Sequence, residues 1–170
     1  RQMPSGLGYI RIPTFGRSRG DVDTFDAHLN ALMDTPGLII DLRGNGGGST
    51  FYADPIAARL LREPFTYGYF KFQRRLPLYV WRRTLPLRIQ PRQPVYEGSI
   101  VLLIDGSNMS TSESFIASLV DSGRARTVGR RTAGASGNPV TFQLIGDRQA
   151  RFSTGTLYRM DGRQIEGQGI

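Results

Sequence analysis

The sequence predicts an α/β fold on a mostly parallel sheet, and three observations predict it. Strand-like and helix-like periodicities alternate along the chain. Two of the strand segments, Leu38 to Leu42 and Ile100 to Ile104, are nearly continuous apolar runs, as in sheets covered on both faces. Each of these runs into a turn of small residues and then into a helix pattern, as parallel crossovers require.

Taken in order, residues 6–13 alternate around Tyr9, Ile10 and Ile12 and predict a strand. Residues 14–20 form a polar loop. Residues 21–35 place Val22, Phe25, Leu29, Leu32 and Met33 at helical spacing, with acids in the first turn and Pro36-Gly37 as the stop. His28, the chain's one histidine, falls on a face of this helix and reads as a surface or half-buried residue. Strand 38–42 leads into Asp41-Leu42-Arg43-Gly44-Asn45-Gly46-Gly47-Gly48. A second helix is predicted over 52–61 and an aromatic strand over 65–72. Segment 73–98 carries Arg74, Arg75, Arg82, Arg83, Arg88 and Arg92 among prolines and apolar residues, and reads as a solvated insertion. After strand 99–104, the stretch Ser107 to Glu113 opens an amphipathic helix that ends near Ser122-Gly123. A short strand over 125–129, a glycine-rich loop over 130–139 and a strand pair at 140–145 and 150–158 follow. Residues 161–170 read as a turn approaching one more strand.

Composition narrows the chemistry. A chain of 170 residues suits one domain with a real core. There are no cysteines, so disulfides, thiolate nucleophiles and cysteine-ligated metals are excluded. A single histidine rules out a multi-histidine zinc site within these residues. Neither a Walker A loop nor a dinucleotide fingerprint is present, since the glycine cluster lacks both spacings. The net charge of +8 is compatible with nucleic acid, anionic lipid or acidic peptide. No nucleic-acid partner is expected, because only the arginine-rich segment would support one. No signal peptide or membrane span is legible, and a chain that begins at Arg1 reads as a fragment of a longer protein.

Two stretches carry the chemistry. Ser110 lies where a buried strand meets a helix N-terminus, a place with free backbone N–H groups and a favourable dipole for an oxyanion. The same Ser110 with Glu113 fits a capping box, which needs no function. The glycine cluster reads either as a plain turn or as a nest of N–H groups facing an anion. Both stretches follow the carboxyl ends of strands, so an α/β sheet can bring them together.

The order strand–DLRGNGGG, strand–DGSNMSTSE–helix, GRARTVGRRTAG and DGRQIEGQGI resembles the catalytic domain of the C-terminal processing (tail-specific) serine peptidases, a group that includes the tricorn core. The resemblance covers about residue 6 to the end and implies a crotonase/ClpP-like ββα superhelix, peptide or protein substrates and no cofactor or metal. Carried over residue by residue, Ser110 matches the nucleophile, the Thr111 N–H one oxyanion donor and Gly47 the other. Asp41, Arg43, Gly46 and Gly48 match the structural part of the glycine motif. The lysine of the Ser–Lys branch is replaced by Ala135, and Pro139 stands where a glutamine is expected. The one lysine, Lys71, lies in another segment. The tricorn-like branch uses Ser, His and Glu; its glutamate matches Glu166, and its histidine would lie upstream of Arg1. The resemblance also implies an extracytoplasmic location. The alternative is a non-catalytic, lipophilic-ligand-binding module of the same fold, as in the interphotoreceptor retinoid-binding protein.

Overall fold

A computed structural model describes residues 1–16, 18, 20–75 and 80–170, with the side chains of 73–75, 80 and 81 outside the description. Strands β1 (Gly8–Arg11), β2 (Gly37–Asp41), β5 (Ser99–Ile104) and β6 (Ala125–Gly129) form a parallel sheet in the order β1-β2-β5-β6. Strands β3 (Phe65–Arg75), β4 (Val80–Ile89) and β9 (Gly155–Arg159) make an antiparallel sheet in the order β4-β3-β9. Strands β7 (Pro139–Gln143) and β8 (Gln149–Ser153) form a separate hairpin. Helices α1 (Gly20–Asn30), α2 (Thr50–Ala58) and α3 (Thr111–Asp121) supply the connections, and α2 packs against both others. The fold is α/β, as the alternating periodicities predict.

The parallel sheet owes its position to β2 and β5. Ile40 and Leu102 pair in register and are fully buried, and Leu42 just beyond β2 is too. Burying each such side chain stabilises the fold by about 1.5–3 kcal/mol. The N-terminal half of α3 is buried on every side, so its serines and Glu113 lie inside the protein with Phe115, Ile116 and Leu119.

The structure corrects three expectations. First, much of segment 73–98 is not a solvated insertion. β4 pairs with β3 along its length, and Ile89, Val95 and Tyr96 are buried. β4 is an edge strand, so it tolerates Pro86 and outward-facing arginines that would be costly in a central one. Leu76 and Leu78 of that segment lie outside the described residues. Second, the single strand predicted over 150–158 is two. The chain breaks at Thr154, with β8 pairing with β7 and β9 crossing to β3. Third, the helix predicted over 21–35 ends at Asn30, and residues 31–34 form turns before Pro36-Gly37. The last residues form turns, as expected, with an isolated bridge between Tyr158 and Gln164.

Candidate active site

Ser110 sits between β5 and α3 at φ 55° and ψ −128°. A non-glycine residue with positive φ is strained and persists only where its surroundings impose it. Here they do. The Ser110 N–H donates to Ala135 O at 2.8 Å, and its carbonyl accepts from Glu113 N at 2.9 Å. Its side chain makes no capping hydrogen bond, so the serine half of the expected capping box is not formed. Glu113, fully buried, turns instead to the loop after β6, accepting from Thr132 Oγ1 (2.7 Å), Gly134 N (2.7 Å) and Ala135 N (3.0 Å). Burial pushes the Glu113 carboxyl above its ordinary value, against the pull of these donors. Glu113 thus fixes the loop whose Ala135 carbonyl holds Ser110.

The glycine turn lies directly against the serine. Gly47 has φ 98°, and a Cβ built there would stand 2.7 Å from Met109 O, 2.9 Å from Ser110 Cβ and 3.0 Å from Thr111 N. Only glycine satisfies both the conformation and the close approach. Thr111 Oγ1 donates to Gly48 O at 2.8 Å and locks turn to helix. At the base of the turn, buried Asp41 holds the exposed Arg43 guanidinium at 2.7 Å and accepts from Tyr9 OH at 2.7 Å. The Arg43 hydrogen bonds hold the Asp41 carboxyl well below the usual carboxylate range.

Two asparagines absent from the sequence-based candidates organise these turns. Asn45 Nδ2 donates to Ile12 O (2.9 Å), and its Oδ1 accepts the Gly47 N–H (2.8 Å). Asn108 Nδ2 donates to Leu42 O at 2.6 Å and lies 3.2 Å from both Asn45 O and Ser112 Oγ. Its Oδ1 accepts from Asp105 N (2.8 Å), and its carbonyl from Ala133 N (2.8 Å). Asn108 therefore ties the loops after β2, β5 and β6 together. The cue in the sequence is two asparagines in glycine- and serine-rich turns at strand ends, but their complete burial is not visible from spacing.

Among the described residues the N–H groups of Thr111, Gly46 and Gly48 have no acceptor, and of these residues Thr111 and Gly48 line the Ser110 pocket. The Gly47 N–H, the donor expected from sequence, is taken by Asn45. Ser110 lines a pocket of about 350 Å³ whose walls include Tyr67, Phe70, Phe72, Leu85, Leu87 and Leu157. Burial raises the Tyr67 hydroxyl above its ordinary pKa, so it is a neutral wall.

Glu166 is brought to the edge of this pocket. The C-terminal turn is pinned on the loop after β6 by Gly167 N to Gly134 O (2.7 Å) and Ile170 N to Thr132 Oγ1 (2.9 Å). From there Glu166 Oε2 accepts from Ser136 N at 2.7 Å, with Ser136 Oγ at 3.2 Å. Ser136 lines the Ser110 pocket, so Glu166 is bonded to a residue of the pocket wall. His28 and Lys71 are elsewhere. His28 is exposed and lines a smaller cavity with Arg11 and Tyr52. The Lys71 ammonium lies over the rings of Tyr69 (5.1 Å) and Tyr158 (4.6 Å). Neither lines the Ser110 pocket. Among the described residues no group of His, Asp or Glu has the arrangement of a metal site.

This meeting of glycine turn, strained serine and C-terminal turn agrees with the sequence comparison: the profile of peptidase family S41 matches residues 6–170. The chain belongs to peptidase family S41. No curated protein matches it by sequence. Among solved structures, a candidate peptidase of Parabacteroides merdae superposes with a TM-score of 0.85 at 25% identity, covering 100% of this S41 chain and 54% of its own. Mature CPAF in complex with lactacystin gives 0.84 at 20% identity, covering 96% of this chain and 46% of its own. The photosystem II D1 C-terminal processing protease gives 0.75 at 21% identity, covering 99% and 42%. The likeness to the last two is one of fold. The S41 chain spans about half the length of the structures it matches.

Proposed function

We propose that residues 1–170 are one catalytic unit of a serine endopeptidase, with Ser110 as nucleophile. The observation that carries this reading is the state of Ser110: held at φ 55°, free of a capping bond, and opening onto a pocket beside two unpaired backbone N–H groups. In the reaction, Ser110 Oγ attacks the scissile carbonyl and gives its proton to a general base. The carbonyl oxygen becomes an oxyanion held by the Thr111 N–H and a glycine-turn N–H. Gly46 and Gly48 have the turn's N–H groups without an acceptor, and Gly48 is the one of the two that lines the pocket; Gly47 joins only if Asn45 releases it. The amine leaves with a proton, and water then clears the acyl-enzyme. A single such donor contributes about 10²–10³-fold to the rate.

The base is not His28 or Lys71, since neither lines the pocket. We assign it to a histidine outside these residues, oriented by Glu166 as in the tricorn-like branch. The apolar wall of Tyr67, Phe70, Phe72, Leu85, Leu87 and Leu157 favours an apolar side chain next to the scissile bond. No helix among the described residues is long and apolar enough to cross a membrane. An extracytoplasmic site of action accords with structural neighbours that include a lipoprotein of Streptococcus agalactiae.

The test is fluorophosphonate labelling with mass mapping, on this chain and on a form extended at its N-terminus. Labelling of Ser110 in the extended form, lost in Ser110→Ala, is the expected result. No labelling in either form would overturn the peptidase reading and favour a binding module of the same fold.

A further inference from the structure

A second cavity, of about 630 Å³, adjoins the Ser110 pocket and differs from it in chemistry. Lys71, Arg82 and Arg83 line it, together with the hydroxyl residues Thr84, Ser153 and Thr156. No Asp or Glu lines it. Phe72 belongs to the walls of both cavities, so one extended ligand can occupy both. Ser153 also lies 3.5 Å from Glu166, which places this cavity at the same rim.

The topology explains the notch. β3 runs to Arg75, but its partner β9 begins only at Gly155, opposite Phe72. Beyond that pair the chain leaves for the β7–β8 hairpin, and among the described residues no strand pairs with β3 on that side. On the other edge, β4 brings Arg83 opposite Phe72 and Arg82 opposite Gln73. Lys71 and Arg82 lie on one face of the β3–β4 ladder and Arg83 on the other, and all three border the concavity at its open edge. Among the described residues none of them forms an ion pair. Like charges gathered without a counter-ion repel one another, and an anion in their midst relieves that cost. The Lys71 ammonium is already held in place over two tyrosine rings, so little side-chain freedom is lost when an anion meets it.

We infer that this cavity is a subsite for acidic side chains of the peptide substrate, selecting chains that carry a carboxylate close to the apolar residue seated beside Ser110. The inference rests on the peptidase reading for its substrate, but its charge logic is independent of catalysis. An acidic peptide fits better than a nucleic acid strand because the walls of the adjoining pocket carry apolar side chains and no Lys or Arg.

The experiment is fluorescence anisotropy with the full chain carrying Ser110→Ala, so that binding is read without turnover. Two labelled peptides share an apolar centre and differ only in flanking glutamates against glutamines. The expected result is that the glutamate peptide binds about fivefold or more tightly at low salt, as a few exposed charge pairs allow. That preference falls as salt is raised, and it vanishes in Arg82→Gln/Arg83→Gln. Equal affinity for the two peptides would overturn the inference. So would a variant that weakens both peptides equally, since that marks a structural role. A single-stranded oligothymidylate that binds more tightly than the glutamate peptide and is lost in the same variant would reassign the cavity to nucleic acid. Ser110 labelling without glutamate preference sinks this inference alone. Glutamate preference without labelling under any form sinks the peptidase reading and leaves an acidic-peptide-binding site.

Discussion

Gly47→Ala tests whether the glycine turn is built around the serine. Two costs can be separated. At φ 98° a Cβ in the left-handed region costs about 1–2 kcal/mol. The new methyl would also press on Met109 O, Ser110 Cβ and Thr111 N at 2.7, 2.9 and 3.0 Å, two of them backbone atoms of the loop that leads into α3. Overpacking of this kind costs about 1–3 kcal/mol. The sum is about 2–5 kcal/mol. With a guanidinium slope of about 4 kcal/mol per molar, the unfolding midpoint falls by about 0.5–1.2 M. Gly44→Ala is the control, because Gly44 has φ 77° with nothing within 4 Å of its Cβ position. It carries the conformational cost alone, about 1–2 kcal/mol. Equilibrium guanidinium melts of the two variants and the parent give the comparison. If Gly47→Ala costs no more than Gly44→Ala, the turn is not packed on Ser110 and the proposed oxyanion geometry loses its support. In the labelling-competent form, Gly47→Ala is expected to slow fluorophosphonate reaction about a hundredfold, the effect of a displacement approaching 1 Å, while Gly44→Ala leaves it unchanged.

Three further outcomes follow from the same geometry. Ser110→Gly should be about 1–2 kcal/mol more stable than Ser110→Ala by denaturant melt, since only glycine relieves the strain at φ 55°; equal stability would mean that the conformation carries no strain. Asn108→Ala should cost about 2–4 kcal/mol, because the Leu42 and Asn45 carbonyls and the Asp105 N–H lose their partner together; a cost within 0.5 kcal/mol, roughly a surface value, would remove its role as the tie between loops. Burial pushes the Asp54 carboxyl up to about 6 from 3.8. A raised folded-state value means that stability from the protonated form is fully present below the ordinary value and is lost as pH rises through about 6. Asp54→Asn should therefore be more stable than the parent at pH 7 and gain less at pH 4, read from melts across that range. An equal effect at both values would refute the assignment.

What could be read from the sequence divides along a physical line. Local regularities were legible: the apolar runs of β2 and β5, the start of the amphipathic α1 and the short β6 lie where periodicity and turn chemistry put them, although α1 ends at Asn30, well before Pro36-Gly37. β4 was not legible, because an edge strand carries the prolines and arginines of a loop, and only its pairing with β3 makes it a strand. The break at Thr154 was hidden for a similar reason, since both halves have strand composition and differ only in which partner they find. At the site, the juxtaposition of the glycine turn with Ser110 followed from both lying after strand ends. The role of Glu113 did not. Its spacing from Ser110 spells a capping box, and nothing local tells that the carboxylate turns to residues 132–135. Likewise Asn45 and Asn108 read as turn residues, while their work is done across 33 and 66 positions of sequence.

That long reach has a consequence for the order in which the candidate site assembles. Asn108 bridges 66 positions to Leu42, and the Thr111–Gly48 bond bridges 63. Glu113 and Glu166 then reach across a further 19 to 30 positions to close the rim. Contacts so distant along the chain form late in folding, once the sheet has assembled. The serine thus acquires its neighbours only when β2, β5 and β6 are side by side. A nascent or partly unfolded molecule carries Ser110, the glycine turn and Glu166 but none of the geometry that brings them together.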